Sequence, residues 1–281
     1  MKTLTSQITL LLMQLHRIDV LKYDESFLSK TIQKRISETR CSSEDEYSIL
    51  LKQNDKEEKL LLESLQINYS EFFRESLAFA ILERIIFPAL IQNKKKNKHR
   101  EIRIWSSACA AGQEAYSIAI LLEELLKGNE EKFTYRIFAT DQSELKLEQA
   151  RKGQYSSSDL NKITLQRLDR WFTKKGESYI IKPELKNHID FSQFDLLNEQ
   201  LSSPPASIFG GFDLVVSANL LFYYKNEYRQ IILRKISNCL TAEGFLMTGE
   251  AEREILMNFN YHEVFPKSAI FQKSVRQNIY N

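Results

Sequence analysis

Cysteine is scarce. The 281 residues include three, Cys41, Cys109 and Cys239, far apart and without paired spacing. That excludes a disulfide framework and a zinc site, and it fits a reducing, cytoplasmic setting. Glycine is scarce as well, with eight residues and none before Gly112; the first of five prolines is Pro88. Charge of one sign is missing: 39 Lys and Arg face 37 Asp and Glu, a net charge of +2. Global charge therefore points to no particular partner, and dispersed basic residues argue against a nucleic-acid footprint. No apolar run reaches bilayer-spanning length, so no membrane insertion is expected. Residues 1–15 have one lysine and an apolar stretch but no convincing cleavage site, and they read as a first helix. Repeats and low-complexity segments are also missing.

What is present falls into two patterns. Residues 1–90 read as helical throughout, with Leu10, Leu11, Leu15, Ile18, Leu21 and then Phe27, Leu28, Ile32, Ile36 at helical spacing. Asp24 is placed to cap a helix from Glu25, and Ser42 or Ser43 to cap another with Glu46 in its first turn. Residues 93–100, NKKKNKHR, read as a solvated basic loop. From Glu101 strands alternate with helices, which predicts an α/β domain on a mostly parallel sheet. The strands are 102–106, 135–140, 189–193, 212–218 and 244–248, and the helices 114–126, 142–151, 164–171 and 226–239. Residues 172–191 read as a small β insertion, with Tyr179, Ile180 and Ile181 bounded by Gly176 and Pro183. The tail supplies two last strands. The predicted domains are 1–90, helical, and 91–281.

The chemistry concentrates at 102–141. A buried strand runs into a turn of small residues, Ser106, Ser107, Ala108, Ala110, Ala111 and Gly112, then a helix, then a second strand ending in Asp141. This is half of a nucleoside-binding doubly wound domain, with the acid placed for a ribose hydroxyl. A cap for the next helix is the plainer role for an aspartate here, but the upstream turn favours the ribose. A turn with one glycine is poor for a pyrophosphate, which needs bare backbone N–H groups at close range. It suits a phosphate-free nucleoside, of which S-adenosylmethionine (SAM) is the commonest on this fold. Glu114, in the first helical turn, suits that cofactor's ammonium and would repel a phosphate; complementing the helix dipole is its simpler role.

Two further segments stand out. Ser217-Ala-Asn-Leu-Leu-Phe-Tyr-Tyr224 puts an asparagine at a strand end before an aromatic cluster, as pocket walls or as packing. Asn68-Tyr-Ser-Glu-Phe-Phe-Arg74 sets an arginine among apolar residues, to face a structural acid or a substrate carboxylate.

In this order the segments resemble the chemotaxis receptor methyltransferases, the CheR family. That family carries T-x-F-F-R, then W-S-x-x-x-S-x-G-E-E-P-Y-S-I-A, A-T-D-I-D, C-R-N-V-x-I-Y-F and a terminal G-x-x-x-x-G-x-x-E. Here stand Ser70-Glu-Phe-Phe-Arg74, Trp105 to Ala119, Ala139-Thr-Asp-Gln-Ser143, Ser217 to Tyr224, and Gly244 to Glu252. Residues 23–40 also resemble the family's basic helical region.

The resemblance implies a helical N-terminal domain packed on a Rossmann-like SAM-dependent methyltransferase domain with a small inserted β-subdomain. It implies cofactor contacts by Asn68, Ser70, Arg74, Glu114, Asp141, Asp195, Leu196, Asn219 and Leu220, and an acceptor oriented by Arg74 and Tyr223. The implied reaction forms glutamyl methyl esters on the cytoplasmic domains of methyl-accepting chemotaxis receptors, leaving S-adenosylhomocysteine, with the protein a cytoplasmic monomer. Departures are Gln113 and Ala115 in the G-E-E-P turn, Ala218 for the arginine before Asn219, and Glu250 in the terminal motif. They keep two alternatives open: a non-receptor protein acceptor, and a SAM-binding signalling protein without activity.

Overall fold

Asp24 and Ser43 each start a helix by capping it. Asp24 accepts the Ser26 N–H at 2.9 Å and Ser43 Oγ the Glu46 N–H at 3.2 Å, while Glu46 reaches back to the Ser42 N–H. Such caps satisfy backbone donors that a helix start leaves open. The computed structural model describes residues 6–16, 20–65, 70–97, 100–127, 133–207 and 211–274. The chain divides into two compact units, Met1–Ile67 with Phe222–Gln230, and Asn68–Leu221 with Ile231–Asn281.

The first unit holds α1 (Ser6–His16), α2 (Glu25–Thr39), α3 (Glu44–Gln53) and α4 (Asp55–Leu65). Ile8, Leu12, Leu28, Ile32, Tyr47, Leu51 and Leu61 are buried. Among them lies a polar knot. Glu57 accepts the Arg35 Nε–H at 2.9 Å and the Tyr47 hydroxyl at 2.7 Å. Burial pushes the Glu57 carboxyl up, but these donors and the Arg35 charge outweigh it and hold it below the usual carboxylate range. Phe222–Gln230 joins this unit: the Asp24 N–H donates to the Tyr223 carbonyl at 2.8 Å and the Tyr23 and Tyr224 rings stack.

The second unit begins with α5 (Ser76–Ile81), a π-helical turn and α6 (Phe87–Lys96) in one continuous run. Residues 70–96, read from the sequence partly with the helical region, pack in this unit. Asn93 to Lys96 are the last turn of α6 rather than loop, and three lysines there complement the helix dipole; Lys98 and His99 of that basic stretch lie outside the described residues. The run Ser76–Lys96 is, by length and composition, long and apolar enough to cross a bilayer, which corrects the reading that no segment is. Its inner face, including Phe79, Leu82, Ile86, Phe87 and Leu90, is buried in the core of this unit.

The strands are β1 (Glu101–Ser106), β2 (Thr134–Asp141), β3 (Gln154–Ser156), β4 (Phe172–Lys175), β5 (Ser178–Ile181), β6 (Ile189–Gln193), β7 (Phe212–Ser217), β8 (Leu240–Thr248), β9 (Tyr261–Glu263) and β10 (Ile270–Lys273). Between them run α7 (Gln113–Leu126), α8 (Glu144–Lys152), α9 (Leu165–Trp171), α10 (Pro183–Lys186), α11 (Asn226–Cys239) and α12 (Arg253–Met257). The main sheet has the order β6-β2-β1-β7-β8-β10-β9. Its first five strands are parallel; β10 pairs antiparallel with β8, and β9 antiparallel with β10. The small sheet is antiparallel, in the order β3-β5-β4. It therefore recruits Gln154–Ser156 from upstream of the 172–191 insertion, while Ile189 onward belongs to the main sheet.

Apolar side chains on both faces of β1, β2 and β7 explain their near-continuous hydrophobic runs, as parallel strands require. Chain order reverses between β1 and β7, so their carboxyl ends open the crevice where ligands bind in such sheets.

Candidate cofactor and methyl-transfer site

The carboxyl end of β1 leads into the turn 107–112. Asp141, at the end of β2, holds that turn: its Oδ2 accepts the Ala110 N–H at 2.9 Å. Its Oδ1 accepts the Ser143 N–H at 2.9 Å. The cap position of α8 belongs to Ser143, so Asp141 is not the helix cap. Burial pushes the Asp141 carboxyl up, against these N–H donations. Ala110 takes a left-handed backbone, φ +46°, and Gly112 closes the turn at φ +90°. A Cβ on Gly112 would lie 2.9 Å from the Ala150 methyl. Only glycine tolerates that conformation and that approach together.

Glu114 follows in the first turn of α7. Its Oε1 accepts the Ser106 hydroxyl at 2.6 Å. Burial pushes its carboxyl up to about 7, against that hydrogen bond and the Arg74 charge, while Glu252 and Glu75 add repulsion. Arg74 sits in the turn that starts at Ser70. Phe72 is fully buried there, and the Phe73 N–H donates to Ser117 Oγ of α7 at 3.0 Å. Phe73 itself is left-handed, φ +50°. The recognised F-F-R segment is thus pinned to the cofactor helix by one burial and one hydrogen bond.

The third wall comes from the end of β7. Asn219 is left-handed, φ +60°, and Glu252 holds it there. The Glu252 carboxylate accepts the N–H groups of Asn219 at 2.8 Å, Leu220 at 2.6 Å and Gly249 at 2.9 Å, with that of Leu221 as a fourth. Burial still pushes its carboxyl up despite these donors. Gly249 lies against Asn219; a Cβ there would meet its side chain and backbone at 3.0 Å. Asn219 Nδ2 donates to Glu75 Oε1 at 2.9 Å, and Glu75 Oε2 accepts the Glu250 N–H at 3.3 Å.

A cavity between these walls brings together four of the sequence-predicted residues, Ser70, Arg74, Glu114 and Asn219; the turn after β1 reaches it through Ala108, and Asp141 does not line it. Ala218 lines it as well. Leu220 contributes its buried position and its N–H to Glu252. Asp195 is exposed and turns its carboxylate to the Leu197 N–H at 2.9 Å; Leu196 beside it is buried. Tyr223 packs in the first unit, its ring edge-on to Phe27 at 4.7 Å. Asn68 lies outside the described residues. Sequence reading missed Glu75, which immediately follows the F-F-R segment, and the anchoring role of Glu252, whose signal was the terminal G-x-x-E motif.

The ionisable lining is Glu71, Glu75 and Glu114 against Arg74. Three acids to one base would repel a phosphate and suit a cationic nucleoside. Fold and cavity together are those of a nucleoside-binding α/β methyltransferase domain.

Comparison with known proteins places the chain more narrowly. The model of the CheR methyltransferase SAM-binding domain matches residues 68–269. The chain is 31% identical over 198 residues to "Chemotaxis protein methyltransferase 1" of Pseudomonas aeruginosa, covering 69% of each chain. It is 32% identical over 202 residues to the "Chemotaxis protein methyltransferase" of Listeria innocua, covering 70% of this chain and 71% of that one. The Escherichia coli protein of that name is 31% identical over 215 residues, covering 75% of this chain and 68% of its own. This chain belongs to the CheR methyltransferase family and is a SAM-dependent methyltransferase.

Proposed function

We propose that the protein esterifies glutamate side chains on the cytoplasmic domains of chemotaxis receptors, acting as a monomer in the cytoplasm. The observation that carries this reading is the cavity that gathers Arg74, Glu114 and Asn219 at the carboxyl ends of β1 and β7. SAM supplies an electrophilic methyl group on a sulfonium. Glu114 would hold the cofactor's ammonium group and Asp141 the ribose, and Ser70, Asn219 and Leu220, with Asn68, Asp195 and Leu196, would supply the remaining cofactor contacts.

A glutamate acceptor is ionised at neutral pH, its reference pKa being about 4.3, so no general base is needed. The protein's task is then to place the acceptor oxygen in line with the methyl group and to strip water from it. Arg74 orients the acceptor carboxylate through its planar donor fork, and Tyr223 assists. Ala218 leaves the cavity wall without the family's second arginine, so more of the orientation rests on Arg74.

The test is transfer from tritiated SAM to purified receptor cytoplasmic fragments, followed by base. Volatile tritiated methanol is expected, because esters release it. A base-stable label, or no label on any receptor fragment, would refute the glutamate assignment. Within that assay Arg74→Ala is expected to lower turnover about 100-fold while leaving SAM affinity within about twofold. Asp141→Ala should do the opposite, weakening SAM binding measured by calorimetry.

A further inference from the structure

The small sheet reaches both loops of the site. From β3, the Tyr155 hydroxyl donates to the Ala111 carbonyl at 2.7 Å, in the turn after β1. The Tyr155 ring also packs edge-on to Phe72 at 4.9 Å, and Phe172 of β4 packs on Phe72 at 5.7 Å. Two residues past the 3-10 turn that follows β3, Lys162 Nζ donates to the Arg74 carbonyl at 3.0 Å and pairs with Glu71 at 3.0 Å. None of these groups lies on the main sheet or on α7, yet each fixes a loop beside the crevice.

We propose that the small sheet and the segment that follows β3 set the geometry of the reaction, with Lys162 the positioning residue for the Arg74 turn and Tyr155 for the cofactor turn. This rests on the reading that Arg74 orients the acceptor and that the turn 107–112 faces the cofactor. The Arg74 turn leaves the main helices at a left-handed Phe73, and backbone at such a position needs outside support to stay. Lys162 adds a hold at the carbonyl of Arg74 itself, so losing the ammonium loosens that backbone without touching the guanidinium. The Ala111 carbonyl is likewise held from outside the turn by one hydroxyl. Displacement of a reacting group by about 1 Å costs up to about 100-fold in rate.

The two positions make separable predictions. Lys162→Met is expected to lower turnover about tenfold with SAM affinity unchanged within about twofold, and Lys162→Arg, which keeps a donor at that reach, to recover most of the turnover. Tyr155→Phe is expected to raise the SAM Kd about tenfold while turnover at saturating SAM stays within about twofold. Melting curves of each variant, with Arg74→Ala run in parallel, complete the experiment. Lowered melting temperatures with turnover and Kd both unchanged would overturn the proposal, as would Lys162→Arg behaving like Lys162→Met. If Arg74→Ala lowers turnover and Lys162→Met does not, the positioning role fails alone. If Arg74→Ala is also silent, the reading of Arg74 beneath it fails.

Discussion

Two buried glutamates answer to opposite rules. Glu57, in the helical unit, accepts from Arg35 and Tyr47, and its carboxyl is held below its ordinary value of 4.5. Glu114, in the cofactor crevice, accepts from Ser106 and feels Arg74 only through space, and its carboxyl is pushed up to about 7. The first is satisfied by the chain and holds helices together. The second is raised by burial more than Ser106 and Arg74 lower it, which fits the proposed contact with the cofactor's cation. Burial alone does not separate structure from function; the number and charge of the donors does.

That contrast can be broken most sharply at Glu57. Glu57→Gln leaves Arg35, whose side chain is 12% exposed, without its buried partner, and should cost about 3 kcal/mol in chemical denaturation. The loss should shrink on acidification, because a carboxyl held low stabilises the fold above its unfolded pKa and ceases to do so as pH falls through its folded value. An equal loss at all pH values would show that the knot works by packing and not by charge.

Glu114→Gln should behave in reverse. The fold holds this group's proton more tightly than the unfolded chain does, so stability falls as pH rises from about 4.5 to about 7. The amide removes that dependence, and the variant should be at least as stable as the parent at pH 8. SAM affinity at pH 8 should drop by about tenfold or more, roughly 2 kcal/mol for a charged hydrogen bond. In the parent, affinity should fall by up to tenfold per pH unit below about 7, because the cofactor's ammonium prefers the carboxylate and binding must then release a proton. Calorimetry in two buffers of different ionisation heat reads that proton; a flat affinity between pH 6 and pH 8 would remove Glu114 from the cation site.

The smallest effect is expected at Gly249. A methyl there meets Asn219 at 3.0 Å, so Gly249→Ala should shift the Asn219 loop by a few tenths of an ångström and cost about 1 kcal/mol in SAM binding. Unchanged affinity would mean that Glu252 alone fixes the loop.

Much of this was legible in the residues. The alternation of strands and helices after Glu101 announced the parallel sheet, and the turn 107–112 with Asp141 announced the crevice. The caps at Asp24 and Ser43 were readable because capping is local chemistry. What escaped was nonlocal. Gln154–Ser156 joins the small sheet through pairing with Ser178–Ile180, and three residues carry too little periodicity to declare a strand. Phe222–Gln230 packs with helices some two hundred residues upstream, and nothing in its own pattern says so. Lys94 to Lys96 read as loop by charge, although a helix end welcomes them. Glu75 was passed over because its partner, Asn219, is 144 positions away. The length of Ser76–Lys96 was hidden by Pro88, which sits at the second position of α6 and so suggested a boundary inside a continuous run.

Asp141 ties the Ala110 N–H to the end of β2 through the chain's own bond, at 2.9 Å. A rim fixed by its own backbone is preset for a nucleoside, and little affinity is lost to ordering it. Spent cofactor can depart and fresh cofactor arrive against a preset surface, leaving the pace of exchange to diffusion and release rather than to loop refolding.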